Sequence, residues 1–256
     1  MNMDKIKGRG NKIVLHFPQN REIECVDSNS AIWHDAVNRA NIVIDGENNQ
    51  VNLHFNSEEE AVNLLANIAF NILIIGNGNQ INVGKSLTVG YTPGWGMFGL
   101  HLVIGTGFDH WTNTPRTANN CHMDIGEHII ACGAMIYLQE EGSHITIGRD
   151  TMISWGVDIW NTDAHTIMDM DGHPTNHPGF IEIGERVWIG KDVKIGKNVR
   201  IDSDNIIGWG SIVTKSIEGH NQLAVGSPAR VVKTNVRWDG RSINEYMRET
   251  ERRRNS

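Results

Sequence analysis

Residues 183–213 read IGERVWIGKDVKIGKNVRIDSDNIIGWGSIV, and an aliphatic side chain returns at every sixth position of this stretch. These positions are Ile183, Ile189, Ile195, Ile201, Ile207 and Val213. A helix needs hydrophobic returns at three and four residues, and an amphipathic strand needs strict alternation, so neither explains a period of six. A short strand followed by a tight corner does explain it. Three such units would close one triangular coil of about 18 residues, and stacked coils would pair as parallel strands around an aliphatic core.

The same period extends towards the N-terminus. Earlier members of the repeat are Ile75, Ile125, Ile147, Ile153 and Ile159. The stretch IVIDGENNQVNLHF (42–55) resembles a degenerate first coil. We therefore predict an all-β solenoid over 41–233, preceded by an N-terminal segment (1–40) and followed by a charged tail (234–256) that is helical in its middle.

Three segments interrupt the period. Residues 56–71 (NSEEEAVNLLANIAFN) are predicted to form a short helix or a loop. Residues 91–122 are rich in Gly, Thr and Asn, and residues 166–180 contain two prolines. We predict that the last two segments are loops extruded from corners of the coil.

The composition limits the function classes. The formal net charge of −7 disfavours binding to nucleic acid or to an anionic membrane surface. No stretch reaches the roughly 20 apolar residues of a transmembrane helix, and the N-terminus carries no secretory signal pattern. The three cysteines have no metal-type spacing and indicate a reducing compartment. We expect a cytoplasmic protein.

Chemistry-bearing residues cluster in NTDAH (161–165), VWIGK (187–191), GWGSIVTK (208–215) and AVGSPARVVK (224–233). With these motifs the chain resembles the hexapeptide-repeat acyltransferases over about residues 120–238. Within that family it is most similar to the sugar O-acetyltransferases of bacterial capsules and lipopolysaccharides, including those that act on polysialic acid. The resemblance implies a left-handed parallel β-helix and transfer of acetyl from acetyl-CoA to a sugar hydroxyl. It implies no metal.

His165 matches the catalytic base of the family. An acceptor hydroxyl must lose its proton as it attacks a thioester, and a neutral imidazole is a suitable base near neutral pH. Asp163 is expected to hold the imidazole tautomer, with Asp169 and Asp171 as alternatives. In strict register, however, His165 lies one full coil before Ile183 and would point inward as a core residue. The loss of the period after it favours an outward ring.

Trp188 matches the tryptophan that the family places beside the thioester, which implies a role in the reaction. The resemblance also implies where coenzyme A lies. The backbone N–H of Gly190 or Lys191 is expected to stabilise the oxyanion, a role that does not depend on the lysine side chain. Contacts to the pantetheine arm are expected from Gly208, Trp209 and Thr214.

The end of the repeat is expected to bind the nucleotide part of the cofactor. By the resemblance, Ser227 and Pro228 lie near the adenine. The cationic side chains of Lys215, Arg230 and Lys233 are suited to its phosphates.

The acceptor side is expected to involve Asn161, Trp155 and Trp160, since flat aromatic faces bind the apolar side of sugar rings. Packing between subunits is the alternative role for the two tryptophans. The family forms homotrimers with active sites between subunits, and we expect the same here.

Other functions stay open at this point. The acceptor of an acetyltransferase on this pattern is either a surface glycan, which we favour, or a small molecule such as a simple sugar, serine, an antibiotic or a nucleotide-sugar amine. A zinc site of the carbonic anhydrase kind would use His165, His173 and His177, although the last two lie in a predicted loop. A purely structural solenoid would show a repeated Thr or Ser face, which this sequence lacks.

Overall fold

The computed structural model describes residues 5–25, 31–90, 99–105, 108–109 and 114–254. The regular structure of this part of the chain is mainly β-strand, arranged in three sheets, with three helices among the described residues. Parts of the predicted loop 91–122, namely 91–98, 106–107 and 110–113, lie outside the described residues.

Sheet A has eight strands among the described residues. In order across the sheet they are β1 (Ile6–Lys7), β4 (Asn41–Asp45), β6 (Phe70–Ile75), β9 (Leu100–Ile104), β14 (Ala134–Leu138), β17 (Val157–Asn161), β20 (Lys194–Ile195) and β23 (Ile212–Val213).

Sheet B also has eight strands in the described part of the chain. They are β3 (Arg21–Glu24), β2 (Lys12–Phe17), β5 (Gln50–His54), β7 (Gln80–Val83), β12 (His122–Ile125), β15 (His144–Ile147), β18 (Phe180–Ile183) and β21 (Val199–Ile201).

Sheet C has seven strands within the same described ranges. They are β8 (Thr88–Val89), β13 (Ile130–Ala131), β16 (Met152–Ile153), β19 (Trp188–Ile189), β22 (Ile206–Ile207), β24 (Gln222–Gly226) and β25 (Ala229–Thr234). A separate antiparallel pair joins β10 (Phe108–Asp109) to β11 (Thr114–Pro115).

From β12 to β23 the chain visits sheets B, C and A in rotation, and every neighbouring pair of these strands is parallel. Antiparallel pairs occur at the ends of two sheets, where β3 lies against β2 and β25 lies against β24. The stacked circuits explain the six-residue period. All six aliphatic residues of the opening stretch, from Ile183 to Val213, are at most 2% exposed. The prediction of stacked parallel strands around an aliphatic core is confirmed.

The corners between strands recur with the same period. Left-handed backbone is found at Arg186, Asp192, Asn198, Asp204 and Gly210, with φ between 54° and 69°. Asn, Asp and Gly tolerate this conformation better than other residues, which explains why they recur before the second inward position of each unit.

The N-terminal residues contribute to the sheets. β1 pairs in parallel with β4, and β2 pairs in parallel with β5. The sheets therefore begin upstream of residue 41, where the sequence analysis placed the first coil.

Helices stand between strands in the first circuits, where sheet C has no strand among the described residues. Helix α1 (Ala31–Arg39) precedes β4, and helix α2 (Glu58–Leu65) lies between β5 and β6. Ser57 caps α2 by accepting the N–H of Glu60, and acidic residues fill the first turn, where they interact favourably with the helix dipole. The prediction of a short helix within 56–71 is confirmed.

The prediction of an extruded loop over 91–122 is wrong for residues 100–104, which form β9 inside sheet A. This strand alternates with a period of two, and its inward residues Leu100, Leu102 and Ile104 are fully buried. The search for a six-residue period did not detect it. By contrast, residues 166–179 contain no strand and only one isolated bridge, so this predicted loop is confirmed.

The tail ends in helix α3 (Ile243–Arg254), which has no buried residue, as the predicted helical tail requires. Trp238 joins the tail to the sheets, because its indole N–H donates to the carbonyl of Arg186 at 2.7 Å. None of the helices in the described ranges has the length and apolar character needed to span a membrane.

Candidate active site

His165 lies where the chain leaves the circuit between β17 in sheet A and β18 in sheet B, and it is exposed. Asn161, the last residue of β17, is fully buried instead, and its amide donates to the carbonyls of His144 (2.9 Å) and Gly179 (3.0 Å). The inward alternative for His165 is therefore excluded. The same burial corrects the expectation that Asn161 contacts an acceptor.

Asp163 does not hold the imidazole in this structure. Its carboxylate accepts hydrogen bonds from Lys197 and from the amide of Asn176 (3.0 Å). The hydrogen bond from Lys197 is the main reason why the pKa of Asp163 lies below its ordinary value, and partial burial opposes that shift. Asp163 is thus held as a carboxylate two residues from the candidate base, with no bond to its ring among the described contacts.

The two alternative acids do not contact the ring either. Asp169 accepts hydrogen bonds from the backbone of Asp171 (3.0 Å) and His173 (2.9 Å) within the loop 166–179. Ligand atoms of these three residues lie within 4.8 Å of one another, but all three are exposed. No such group in the described part of the chain combines His165, His173 and His177, so the geometry does not support the zinc alternative.

His165 lines a polar cavity on the outside of the coil. Its other lining residues are Arg116, Thr117, Gln139, Glu140, Ala164, Thr166, Asn176, His177, Pro178 and Lys197. A second depression adjoins it and reaches Thr214, the predicted contact of the pantetheine arm. The two depressions share Asn176, His177 and Lys197. The structure therefore brings His165 and Thr214 to one connected surface.

Trp188 stands on β19 in sheet C and does not line the cavity of His165 within one chain. Its indole N–H donates to the hydroxyl of Ser154 at 3.4 Å, and its ring centre lies 6.3 Å from that of Trp238. The two candidate catalytic side chains thus belong to different faces of the coil.

The two predicted oxyanion donors, the N–H groups of Gly190 and Lys191, differ in their backbone hydrogen bonds. The N–H of Gly190 donates to the carbonyl of Ile207 at 2.8 Å, which is a bond between neighbouring coils. It is not available to a ligand, and this corrects one of the two expectations. The N–H of Lys191 makes no backbone bond of this kind among the described residues and remains the candidate donor.

Asp192 organises a surface cluster that the sequence analysis missed. It accepts hydrogen bonds from Lys191 and from the indole of Trp209 (3.2 Å). The ammonium of Lys191 lies 5.2 Å from the centre of the Trp209 ring, a cation–π distance. Trp209 is 72% exposed, so its ring is open to a ligand. Gly208 lies beside it, and its N–H donates to the carbonyl of Ala224.

The remaining cofactor candidates lie at the far end of the coil. Ser227 and Pro228 form the turn between β24 and β25, and both are exposed. The side chains of Lys215, Arg230 and Lys233 are also exposed.

The acceptor tryptophans lie on separate surfaces. Trp160 is 41% exposed, its ring centre is 4.5 Å from that of Tyr137, and it lines an apolar groove on sheet A. The groove continues over Val103 and Leu73, which follow Tyr137 in register on neighbouring strands. Trp155 is 40% exposed but does not line this groove.

No protein-family model matches the chain. The chain is 28% identical over 205 residues to the polysialic acid O-acetyltransferase of Neisseria meningitidis, an alignment that covers 79% of this chain and 91% of that protein. It is 37% identical over 112 residues to the galactoside O-acetyltransferase of Escherichia coli (strain K12), covering 36% of this chain and 55% of that protein.

Among solved structures, the fold is similar to that of the polySia-specific acetyltransferase NeuO. The TM-score is 0.63 and the identity 21%, with 97% of this chain and 93% of the other covered. The resemblance inferred from the motifs is confirmed: the chain is related to the hexapeptide-repeat acetyltransferases and, within them, to the O-acetyltransferases of capsule sugars.

Proposed function

We propose that this chain is an acetyl-CoA-dependent O-acetyltransferase that modifies a hydroxyl of a bacterial surface polysaccharide. The observation that carries the proposal is the exposed His165 in a polar cavity connected to Thr214, in a chain similar over most of its length to a polysialic acid O-acetyltransferase. The rotation of the chain through three sheets supports a parallel β-helix, and its left hand is what the resemblance implies.

In the proposed reaction, the neutral imidazole of His165 accepts the proton of the acceptor hydroxyl as its oxygen attacks the thioester carbonyl. A tetrahedral oxyanion forms and accepts a hydrogen bond from the N–H of Lys191. The carbon–sulfur bond then breaks, the acetyl ester remains on the sugar, and the thiolate of coenzyme A takes the proton from the imidazolium. His165 ends the cycle neutral.

Coenzyme A lies along the outside of the last coils in this proposal. Its arm follows the depression at Thr214 and the exposed ring of Trp209, with the adenine near Ser227 and Pro228. The exposed cations Lys215, Arg230 and Lys233 neutralise its phosphates.

The active protein is a homotrimer in this proposal. His165 and Trp188 are both assigned to the reaction, yet they lie on different faces of one chain. A trimer of coils packed side by side brings Trp188 of one subunit towards His165 of the next. The three cysteines have no metal-type spacing, which favours a reducing compartment, and we place the enzyme in the cytoplasm.

The proposed acceptor is a glycan, and the small molecules named above are the alternatives. Trp160 and Trp155 offer half-exposed aromatic faces for sugar rings. Similarity to a galactoside O-acetyltransferase favours a simple sugar as the second candidate, although that similarity covers only 36% of this chain.

The test is release of coenzyme A thiol from acetyl-CoA by the purified protein, with polysialic acid, simple galactosides, serine and no acceptor in parallel. Transfer to polysialic acid well above the other three supports the proposal. Transfer to a galactoside alone moves the assignment to the second candidate. Absence of transfer to every hydroxyl acceptor, in protein that binds coenzyme A, overturns the O-acetyltransferase assignment.

A further inference from the structure

The backbone that carries His165 forms an unusual tight turn. The N–H of His165 donates to the carbonyl of Asp163 at 2.6 Å, and Ala164 between them has a φ of 60°. A hydrogen bond between residues two apart around a left-handed centre is the rare and strained form of the γ-turn. Such strain persists only where the surrounding structure fixes it, and it concentrates at functional sites.

Thr162 fixes the turn from inside. Its side chain is 6% exposed, and its hydroxyl donates to Oε1 of Glu140 at 2.6 Å. The oxygen of the same hydroxyl accepts the N–H of Ala164 at 2.8 Å. Because the Thr162 hydroxyl donates its proton to the carboxylate of Glu140, a lone pair of the hydroxyl oxygen is left to accept the N–H of Ala164. The same Glu140 oxygen also accepts the N–H of Asp163 at 3.3 Å.

Two further side chains fix the turn from outside. Arg116 donates to the carbonyl of Ala164 at 2.7 Å, and the amide of Asn176 donates to the carbonyl of His165 at 2.8 Å. Each N–H and each carbonyl of Ala164 and His165 therefore has a partner. No hydrogen bond to the ring of His165 is found among the described residues, so the described hydrogen bonds that position His165 are those of its backbone.

We propose that Thr162, oriented by Glu140, is a positioning residue that holds the strained turn at Ala164 and thereby aims His165 at the acceptor hydroxyl. This inference rests on the proposed function, because the direction of the ring matters for catalysis only if His165 is the base. It assigns Thr162 and Glu140 no contact with either substrate.

Thr162→Val and Thr162→Ser form a matched pair for the test, because valine keeps the shape of threonine without the hydroxyl and serine keeps the hydroxyl. With acetyl-CoA and polysialic acid, Thr162→Val is expected to lower kcat about 10- to 100-fold, since misplacing a catalytic group by about 1 Å has effects of that size. Its KM for acetyl-CoA stays within about twofold of wild type, and Thr162→Ser restores kcat to within about threefold.

Hydrogen exchange of the peptide that contains residues 163–165, measured by mass spectrometry, tests the network independently of activity. Faster exchange in Thr162→Val than in Thr162→Ser supports the inference. A kcat for Thr162→Val within twofold of wild type, or equal losses in both variants, overturns it. If wild type transfers no acetyl to any acceptor, the proposed function fails, and unchanged exchange in Thr162→Val then overturns the network as well.

Glu140 supplies a second pair should Thr162→Val not fold. Glu140→Gln keeps an acceptor oxygen for Thr162, whereas Glu140→Leu removes it. The expected result is loss of kcat and faster exchange in Glu140→Leu alone, and equal behaviour of both variants contradicts the inference.

Discussion

The ammonium group of Lys197 donates a hydrogen bond to the carboxylate of Asp163, two residues before His165. The same ammonium donates to the carbonyl of His177 at 2.9 Å, near the other end of the extruded loop. Only 8% of the Lys197 side chain is exposed. One cation between β20 and β21 therefore holds both ends of the loop that carries the candidate base.

Lys197→Met is expected to raise the pKa of Asp163 towards its ordinary value and to destabilise the protein at neutral pH. A carboxylate with a lowered pKa in the folded state contributes stability above its unfolded pKa of about 3.9. That contribution is lost as the pH falls through the lower folded value. The difference in stability between wild type and variant should therefore narrow below about pH 4.

Thermal unfolding of both proteins between pH 7 and pH 3 measures this difference. The control is Lys233→Met, at an exposed position in the last strand. If the difference in unfolding temperature between wild type and Lys197→Met stays constant or widens in acid, the ion pair is not the cause of that difference.

His165→Ala is expected to lower acetyl transfer by about 10²- to 10⁴-fold, the usual contribution of a general base. The ring is exposed and makes no hydrogen bond in the described part of the chain, so the free energy of unfolding should change by no more than about 0.5 kcal/mol. Binding of coenzyme A, measured by calorimetry, should be unchanged.

His177→Ala is the matched control, because this second exposed histidine lines both depressions. It should keep transfer close to wild type. Equal losses of transfer in the two variants would show that the reaction does not depend on His165 specifically.

The core of the fold was predictable because each six-residue unit of the sequence forms one side of a circuit through the three sheets. The six periodic aliphatic residues of the opening stretch are buried as the period requires. Asn161 shows the limit of motif reasoning. It was assigned to the acceptor because of its place in NTDAH, but it ends a strand facing inward, and the coil closes over it.

The surroundings of His165 were less predictable. Glu140 and Lys197 reach residues 162 and 163 from the circuits before and after. The loop between β17 and β18 prevents the register of Lys197 from being counted back to residue 163 along the sequence. No spacing in the sequence indicates the turn at Ala164 either, since alanine has no special preference for left-handed backbone.

Lys215→Ala, Arg230→Ala and Lys233→Ala test the proposed path of coenzyme A. Removing a cation that binds a phosphate should raise the Kd of coenzyme A about 10- to 100-fold, because a charge-assisted hydrogen bond contributes about 1.5–3 kcal/mol. The dependence of that Kd on salt should also become weaker.

Calorimetric titrations at low and high salt measure both effects. Lys12→Ala, at the opposite end of the sheets, is the control and should bind as wild type does. If all three variants retain the wild-type affinity and salt dependence, the phosphates lie elsewhere.

Asn79→Ala is expected to destabilise the N-terminal coils without affecting the chemistry. The Asn79 side chain is 1% exposed and belongs to a ladder of buried asparagines. Its amide donates to the carbonyl of Ala118 (2.9 Å) and to Oδ1 of Asn49 (3.0 Å), and its own Oδ1 accepts the N–H of Cys121 at 3.0 Å. Alanine would leave these buried groups without those partners. Oδ1 of Asn49 still accepts the backbone N–H of residue 79 at 2.9 Å, so two groups are left unsatisfied. At 1–3 kcal/mol for each, the expected loss is about 2–6 kcal/mol.

Urea unfolding of Asn79→Ala and Asn77→Ala measures this contribution. Asn77 is the matched control, because it is exposed on the same corner and its side chain accepts one hydrogen bond among the described residues, from the N–H of Glu47 at 2.7 Å. It should lose less than about 1 kcal/mol. Both variants should keep the wild-type kcat at temperatures well below unfolding, since neither Asn77 nor Asn79 lines the cavity of His165. Equal destabilisation by the two substitutions would contradict the argument that the contribution of Asn79 comes from the burial of its hydrogen bonds.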